Sequence, residues 1–132
     1  MNARAEDFWT RALEALAAGR VLLDVSPDGA ASRAYYAAFY AVSAQFALLG
    51  KSFKKHSAIE AAVHANLVKA GGWPREFGEE FSRLVRTRSM GDYGGADHVT
   101  PEEGRRAVAA AGLLVMIAQR NSEVFTTPAD LR

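Results

Sequence analysis

Cysteine is absent from the 132 residues of this chain. The absence excludes a disulfide framework and every metal site built on thiolates, and it fits a protein kept in a reducing compartment. An excess of charge of one sign is also missing, because the formal net charge is +1 at pH 7. Proteins that follow a long nucleic-acid backbone are usually far more basic. Any contact with RNA is therefore expected to be local.

An uninterrupted apolar run long enough to cross a membrane is missing as well. The longest uncharged segment covers residues 34–50, and Tyr36, Tyr40, Ser43 and Gln45 interrupt it. This segment is at the lower length limit of a membrane span, so a buried helix is the better interpretation. The first residues show no apolar core followed by a cleavage site, and we expect no signal peptide. We therefore predict a cytoplasmic protein.

Helical periodicity appears in five segments of the chain, and strand signals are scarce. We predict helices over residues 3–23, 28–49, 57–72, 74–90 and 101–121. The second helix is apolar on nearly every side, which indicates a position in the middle of a bundle. The length suits one domain with a single core. We expect an all-α bundle of about five helices over residues 1–121 and a loose C-terminal tail over residues 122–132.

Two of the predicted helices begin with capping signals. Thr100 precedes Pro101, and Glu103 completes the pattern of a capping box. Ser57 and Glu60 show the same pattern at the start of the third helix. The glycine-rich segment after the fourth helix is predicted to be a loop, because it needs backbone freedom.

One arginine conflicts with the apolar pattern of the fourth helix. Phe77, Phe81 and Leu84 form one stripe, and Arg88 continues it. A guanidinium on an apolar stripe is costly unless it is paired or lines a cleft. Asp92 stands one turn later and can pair with Arg88 if the helix extends that far. Two interpretations stay open: the arginine reaches solvent or a nearby carboxylate, which the pattern alone favours, or it belongs to a functional site.

The second predicted helix carries a ridge with polar edges. Ser32, Tyr36 and Tyr40 stand at successive steps of one turn, and Arg33 lies beside them. Such tyrosines commonly pack in a core with their hydroxyls bonded at its edge. The alternative is that the ridge lines a cleft that faces the fourth helix.

A short basic segment, Lys54-Lys55-His56-Ser57, precedes the third helix. Backbone N–H groups at a helix N-terminus attract anions, so a phosphate can dock there, although a solvated loop is the ordinary outcome. The other two histidines are distant in sequence, and no carboxylate spacing gathers the three into a metal site. P-loop, dinucleotide-binding and serine-nucleophile motifs are also missing. We therefore expect no metal and no cofactor.

Three segments, taken together in their order and spacing, resemble the HEPN domain family. Residues 32–41 read SRAYYAAFYA and are similar to the SRxYYAxF helix of that family. Lys55-His56-Ser57 resembles the lysine–histidine–serine segment that follows it, and residues 88–94, RSMGDYG, resemble the RxxxDYG end of its fourth helix. The resemblance implies an up-and-down helical bundle that commonly pairs as a homodimer.

The resemblance also implies a function. HEPN proteins often act as partners of minimal nucleotidyltransferases, and many are endoribonuclease toxins in which an Arg-x(4–6)-His motif from each subunit meets across the dimer cleft. In some pairs the transferase silences the toxin by adenylylating a tyrosine near that motif. This chain departs from the motif, because no arginine stands at the required positions before its histidines. Those positions are residues 49–51 for His56, 57–59 for His64 and 91–93 for His98.

Arg88 occupies the arginine position of the motif, whereas Tyr93 stands at the first position where the histidine is expected and Asp92 directly precedes it. Without that imidazole, the simplest acid–base scheme for cleaving RNA lacks its proton carrier near neutral pH. Either His56 or His98 swings into the cleft, or catalysis rests on Arg88 stabilising the charge that develops on phosphorus.

The leading hypothesis is therefore a dimeric, toxin–antitoxin-like HEPN component that acts with a minimal nucleotidyltransferase and binds RNA or nucleotide phosphate in a cleft. Arg88, Asp92 and Tyr93 are the candidate catalytic residues, and Tyr93 is also the candidate target of adenylylation. The candidate binding residues are Ser32, Arg33, Tyr36, Tyr40, Lys55 and His56. Three alternatives stay open: a non-catalytic nucleotide- or RNA-binding module, a metal-independent endoribonuclease with an unorthodox residue set, and an interaction protein whose motif residues hold the dimer together.

Overall fold

The computed structural model of the chain describes residues 2–122 and Phe125, and these residues form helices and no strand. The helices are α1 (Ala3–Leu22), α2 (Pro27–Leu48), α3 (His56–Ala62), α4 (Arg75–Tyr93) and α5 (Pro101–Arg120). A π-helical segment (Val63–Lys69) continues α3 without a break, which the sequence did not predict. The expectation of an all-α bundle of about five helices is confirmed. No helix in the described part of the chain is both long and apolar enough to cross a membrane.

Helix α2 is the centre of the bundle and packs against α1, α5 and α4. Its buried small residues let these neighbours approach closely, and they are Ala30, Ala31, Ala34, Ala37, Ala38, Ala41, Ala44 and Ala47. On α4 the stripe of Phe77, Phe81 and Leu84 is fully buried. Burying each such side chain contributes roughly 1.5–3 kcal/mol relative to leaving it exposed. This packing holds the stripe of α4, and with it Arg88, against α2.

The start of α5 confirms the predicted capping box. The Oγ1 atom of Thr100 accepts a hydrogen bond from the backbone N–H of Glu103 at 3.1 Å, and the backbone N–H of Thr100 donates to the Glu103 carboxylate at 2.9 Å. Pro101 is the first helical residue. Both backbone donors would otherwise lack helical partners, so the box ends the preceding loop at a defined residue.

The capping box predicted at Ser57 is wrong. Helix α3 begins at His56 with Lys55 as its N-cap, and no side chain caps it. The carboxylate of Glu60 instead accepts a hydrogen bond from the Ser82 hydroxyl of α4 at 2.6 Å. The Glu60 carboxylate, which the capping-box pattern assigned to the helix start, is thus bonded to α4 instead. Because α3 begins at His56, this histidine belongs to the first turn of the helix.

Helix α4 runs past the predicted end near Met90 and ends at Tyr93. Gly91, which suggested a loop, lies inside the helix where α4 meets the start of α2. A Cβ atom at this position would be 3.3 Å from the Cα atom of Asp28 and 3.2 Å from a methyl carbon of Val99. The glycine therefore allows a close approach between elements, and the extended helix carries Asp92 onto the same face as Arg88.

The predicted tail, residues 122–132, lies outside the described residues apart from Ser122 and Phe125. Phe125 is buried and stacks on Trp9 of α1, with ring centroids 4.7 Å apart and an angle of 12° between the planes. This contact adds one aromatic ring to the core beside α1.

Candidate functional site

Arg88 lies among aromatic rings between α2 and α4. Its Cζ atom is 5.2 Å from the ring centroid of Tyr35 and 5.4 Å from those of Tyr36 and Tyr93. Its Nη2 atom donates a hydrogen bond to the hydroxyl of Tyr36 at 3.1 Å. The side chain is only 16% exposed. The surrounding group is called the Arg88 cluster below, and it consists of Tyr35, Tyr36, His56, Arg88, Asp92 and Tyr93.

Asp92 pairs with Arg88 one turn along α4, with 2.9 Å between Oδ2 and Nε. The contact is an ion pair and not a well-directed hydrogen bond, because the buried Nε atom forms no hydrogen bond with any described residue. Burial opposes the charge of Arg88, but the phenols of Tyr36 and Tyr93 and the Asp92 carboxylate outweigh it and raise the arginine pKa. The guanidinium therefore stays cationic throughout the physiological pH range.

Tyr35 and His56 connect α2 to α3 at the edge of Arg88. The Tyr35 hydroxyl is 3.1 Å from Nδ1 of His56. Burial raises the pKa of the Tyr35 phenol to about 12, although the positive charge of Arg88 opposes the shift. Burial and then the charge of Arg88 lower the pKa of His56. Both groups are therefore mainly neutral near pH 7.

The hydrogen bond between Tyr35 and His56 determines which imidazole nitrogen carries the proton. Tyr35 is 2% exposed, and its O–H needs a partner because a buried donor without one is costly. We infer that the phenol donates to Nδ1, so the neutral imidazole holds its proton on Nε2. His56 is an exposed residue in the first turn of α3, so in this tautomer its Nε2–H is a candidate hydrogen-bond donor.

Tyr93 is the last residue of α4 and is 73% exposed. Of the four tyrosines in the chain, the other three are buried or half-buried on α2. Gly94 follows as the C-cap, where a Cβ atom would overlap the carbonyl oxygen of Met90. The tight turn therefore needs glycine at this position, and it leaves the Tyr93 side chain at the surface beside Arg88.

Two further candidate binding residues border the Arg88 cluster. The guanidinium of Arg33 lies over the ring of Tyr36 at 4.9 Å, and the rings of Tyr36 and Tyr40 are 5.8 Å apart. Arg33 and Tyr40 also line a cavity of about 270 Å³ between α1 and α2. The ridge predicted on α2 thus meets α4 at Tyr36 and faces α1 at Tyr40.

Ser32 and Lys55 are not brought to the Arg88 cluster. Ser32 is half-buried near the start of α2, and Lys55 is the exposed N-cap of α3. Within the described residues neither forms a hydrogen bond, ion pair or ring contact with the cluster. The basic segment before α3 therefore contributes to the cluster through His56.

His98, the other histidine considered for the cleft, is engaged at the start of α2. Its Nδ1 atom is 2.6 Å from Oδ2 of Asp28, and the backbone N–H of Val99 donates to Oδ1 at 2.7 Å. These two hydrogen bonds, with that of Val99 the stronger influence, hold the pKa of Asp28 below its usual value. Of the two histidines, His56 is the one that the fold places beside Arg88.

Sequence reasoning missed Tyr35 of the Arg88 cluster and Phe39, which packs beside the cluster. The imidazole of His56 lies against the ring of Phe39, with centroids 4.5 Å apart, while Tyr35 bonds its Nδ1 atom. Both residues lie beside the ridge of Ser32, Tyr36 and Tyr40 and outside its one-turn spacing. The signal in the sequence that could have identified these two residues was their place in the SRxYYAxF segment.

The fold and the site together define a class of protein: a helical bundle whose second and fourth helices hold a cationic arginine among tyrosines. A family model for the HEPN domain matches residues 5–121. The UPF0332 protein glr0978 of Gloeobacter violaceus is 33% identical over 120 residues, which cover 89% of this chain and 95% of the relative. A UPF0332 protein of Thermotoga maritima is 40% identical over 90 residues, covering 67% of this chain and 68% of the relative. The chain belongs to the HEPN domain family, as its motifs predicted.

Proposed function

We propose that this HEPN protein binds phosphate groups of RNA or of a nucleotide in the Arg88 cluster, as the homodimeric component of a toxin–antitoxin-like pair with a minimal nucleotidyltransferase. One observation carries the proposal. The guanidinium of Arg88 is mostly buried, permanently charged and held in place, yet its Nη1 atom forms no hydrogen bond with the described residues and is not buried.

A phosphate matches the groups that the cluster presents. A guanidinium offers paired N–H donors in a rigid plane, which suits a phosphate better than a lysine ammonium does. Asp92 pairs with the Nε atom of Arg88, and the Tyr36 hydroxyl accepts a hydrogen bond from its Nη2 atom. These two contacts fix the orientation of the guanidinium. The Nε2–H of His56 supplies a second donor near the same rings. Exposed aromatic surface on Tyr93 provides a place where a base can stack.

Binding is favoured over cleavage by the protonation state of His56. In the tautomer that we infer, Nδ1 accepts from Tyr35, and the Nε2 atom carries a proton and has no lone pair with which to act as a general base. The second candidate function, a metal-independent endoribonuclease, rests on the position of His56 beside Arg88. Cleavage would require Nδ1 to carry the proton instead, with Tyr35 accepting its hydrogen bond, so that Nε2 becomes the base.

Tyr93 is the proposed acceptor of an adenylyl group, because it is the exposed tyrosine of the chain and lies beside Arg88. Its phenol oxygen would attack the α-phosphorus of ATP on the transferase, and pyrophosphate would leave as a base of the transferase takes the phenol proton. The new phosphodiester would lie near the Arg88 guanidinium and compete there with RNA or nucleotide phosphate. Adenylylation of Tyr93 is therefore expected to prevent the binding of RNA or nucleotide phosphate.

Phosphate binding is tested by titrating a short single-stranded RNA and AMP into wild-type protein and the Arg88→Gln variant. The glutamine keeps an amide donor and removes the charge, so we expect affinity to fall at least about tenfold, the equivalent of about 1.4 kcal/mol. Arg75→Gln is the matched control, since Arg75 opens α4 and is exposed far along the helix from Arg88. Equal affinity of wild type and Arg88→Gln would refute phosphate binding by the cluster.

The same RNA, incubated and separated on a gel, distinguishes the two candidate functions. Intact RNA with measurable binding supports the binding module. Cleavage that is lost in both Arg88→Gln and His56→Gln, and retained in Arg75→Gln, would establish the endoribonuclease instead.

Adenylylation is tested by mass spectrometry after incubation with ATP and the nucleotidyltransferase partner. We expect one adenylyl adduct on the peptide that contains Tyr93 and none in Tyr93→Phe. The adducted protein should also lose RNA binding. An adduct on a different residue, or none with an active transferase, would exclude Tyr93 as the acceptor.

A further inference from the structure

A second cavity, independent of the Arg88 cluster, lies between α4 and α5 and has a volume of about 360 Å³. Its lining residues on α4 include Arg83, Arg86 and Met90. At about 100° per residue these positions lie roughly half a turn from Arg88 around the helix axis. The lining also includes Leu84, so the cavity, called the α4/α5 groove below, opens on the side of α4 that faces α5, and none of its lining residues belongs to the Arg88 cluster.

The floor of the α4/α5 groove is apolar. Leu84, Ala107 and Ala110 are buried along it, and Met90 is half-buried. The two alanines of α5 are too small to fill the space between the helices, so room for a ligand is left above them. A volume of this size, between helices of a bundle, is in the range of small-molecule sites.

Arginines from both helices surround this apolar floor. Arg86 of α4 and Arg106 of α5 are exposed, and within the described residues neither has a carboxylate partner within ion-pair distance. Arg83 is already paired with Glu80, with 3.1 Å between Nη1 and Oε1. Within the described part of the chain, the two helices thus place two guanidinium groups without an ion-pair partner at one groove.

The other polar side chains that line the groove already form hydrogen bonds within the protein. The hydroxyl of Thr87 donates to the carbonyl oxygen of Arg83 at 3.0 Å, so it has no proton left for a ligand. The carboxylate of Glu103 accepts from the backbone N–H of Thr100 in the capping box and lies at the positive end of α5. Lining arginines outnumber lining glutamates by one. The groove therefore offers cationic donors above an apolar surface.

We propose that the α4/α5 groove binds a small organic anion, with a compact apolar body on the floor and a phosphate or carboxylate group held between Arg86 and Arg106. Each guanidinium can donate paired hydrogen bonds to such an oxyanion. The apolar body would be removed from water against Leu84, Met90 and the two alanines. This site is separate from the Arg88 cluster and does not depend on the function proposed for it.

Phenyl phosphate is the test ligand, because it combines a compact apolar ring with a phosphate. It is titrated into the full chain while protein methyl resonances are followed by NMR. We expect shifts at the methyl groups of Met90, Ala107 and Ala110. Inorganic phosphate lacks the apolar ring and phenol lacks the phosphate group. Each should therefore bind at least about fivefold more weakly than phenyl phosphate.

The double variant Arg86→Gln/Arg106→Gln should weaken phenyl phosphate binding at least about fivefold. The matched control is Arg75→Gln/Arg105→Gln, which removes the same charge from exposed positions on the same two helices outside the groove. The control should bind as the wild type does. Unchanged methyl resonances of Met90, Ala107 and Ala110, equal losses in both double variants, or loss of phenyl phosphate binding in Arg88→Gln would each overturn the proposal.

Discussion

Arg88 illustrates how one charged side chain is retained on an apolar stripe. Removing a guanidinium from water costs several kcal/mol unless other groups replace its hydration. Asp92 supplies the counter-charge, Tyr36 accepts a hydrogen bond, and the ring faces of three tyrosines lie within about 5.4 Å of Cζ. Arginine over an aromatic face gains roughly 0.5–2 kcal/mol per favourable contact. An alanine here would remove both the charge and every N–H donor, whereas glutamine removes the charge and keeps an amide donor, so glutamine is the more informative substitution.

The electrostatic influence of Arg88 on His56 gives a prediction for a single residue. Arg88→Gln removes a nearby positive charge, which makes a second proton on the imidazole less unfavourable. The pKa of His56 should therefore rise toward its ordinary value, although burial, the larger cause of its depression, remains. The titration of the His56 Cε1 proton by NMR measures the change.

Arg75→Gln serves as the control for this titration, because it removes the same charge at the far end of α4. An unchanged His56 pKa in Arg88→Gln would mean that the guanidinium does not act on the imidazole.

At the scale of elements, the two predicted capping boxes had different outcomes. Thr100 and Glu103 bond each other's backbone groups in a short loop, where no other element competes for them. Glu60 is instead engaged by Ser82 of α4, and α3 begins one residue before the predicted cap. A capping pattern thus determines a helix start when its carboxylate has no stronger tertiary partner.

The difference between the two helix starts predicts a difference in stability. Thr100→Ala should lower the free energy of unfolding by about 1 kcal/mol, because the first turn of α5 loses its side-chain acceptor. Ser57→Ala should change it by no more than about 0.5 kcal/mol, since Ser57 is exposed and caps no helix. Urea denaturation at equal protein concentration measures both. Similar losses in the two variants would contradict the assignment of the caps.

For the whole molecule, the arrangement of helices decides which surfaces are available for function. Packing of α2 among α1, α4 and α5 buries most of its length and turns Tyr35 and Tyr36 toward Arg88. The side of α4 that faces α5 is less completely covered and leaves the α4/α5 groove. One helix would therefore carry the two proposed sites on different faces, and substitutions in one should leave the other intact.

The proposed role in a toxin–antitoxin-like pair predicts a cellular phenotype of the intact protein. Induced expression of the chain alone should slow growth if the Arg88 cluster sequesters or cleaves RNA, and Arg88→Gln should relieve the defect because the cluster loses its charge. Growth curves with immunoblots for equal protein level measure this. Normal growth with abundant folded wild-type protein would weaken the toxin hypothesis and favour a non-toxic binding partner of the transferase.

Much of the architecture was predictable from local features of the sequence. Helical periodicity identified the five helices and the central place of α2, and Thr100 with Pro101 identified the start of α5. Three short motifs indicated the HEPN family, which the family match confirms. These properties depend on residues close together in the chain, because helix periodicity and capping are determined within one or two turns.

Only the tertiary structure determined the contacts that assemble the site. Tyr36 and Arg88 are 52 residues apart in the sequence, and Tyr35 and His56 are 21 apart, so no local spacing predicts either hydrogen bond. The sequence likewise did not determine the role of Gly91. A glycine that lets α4 approach Asp28 closely looks the same in a sequence as a glycine that ends a helix. Such contacts depend on how buried faces of different helices fit together, and that fit exists only once the core is packed.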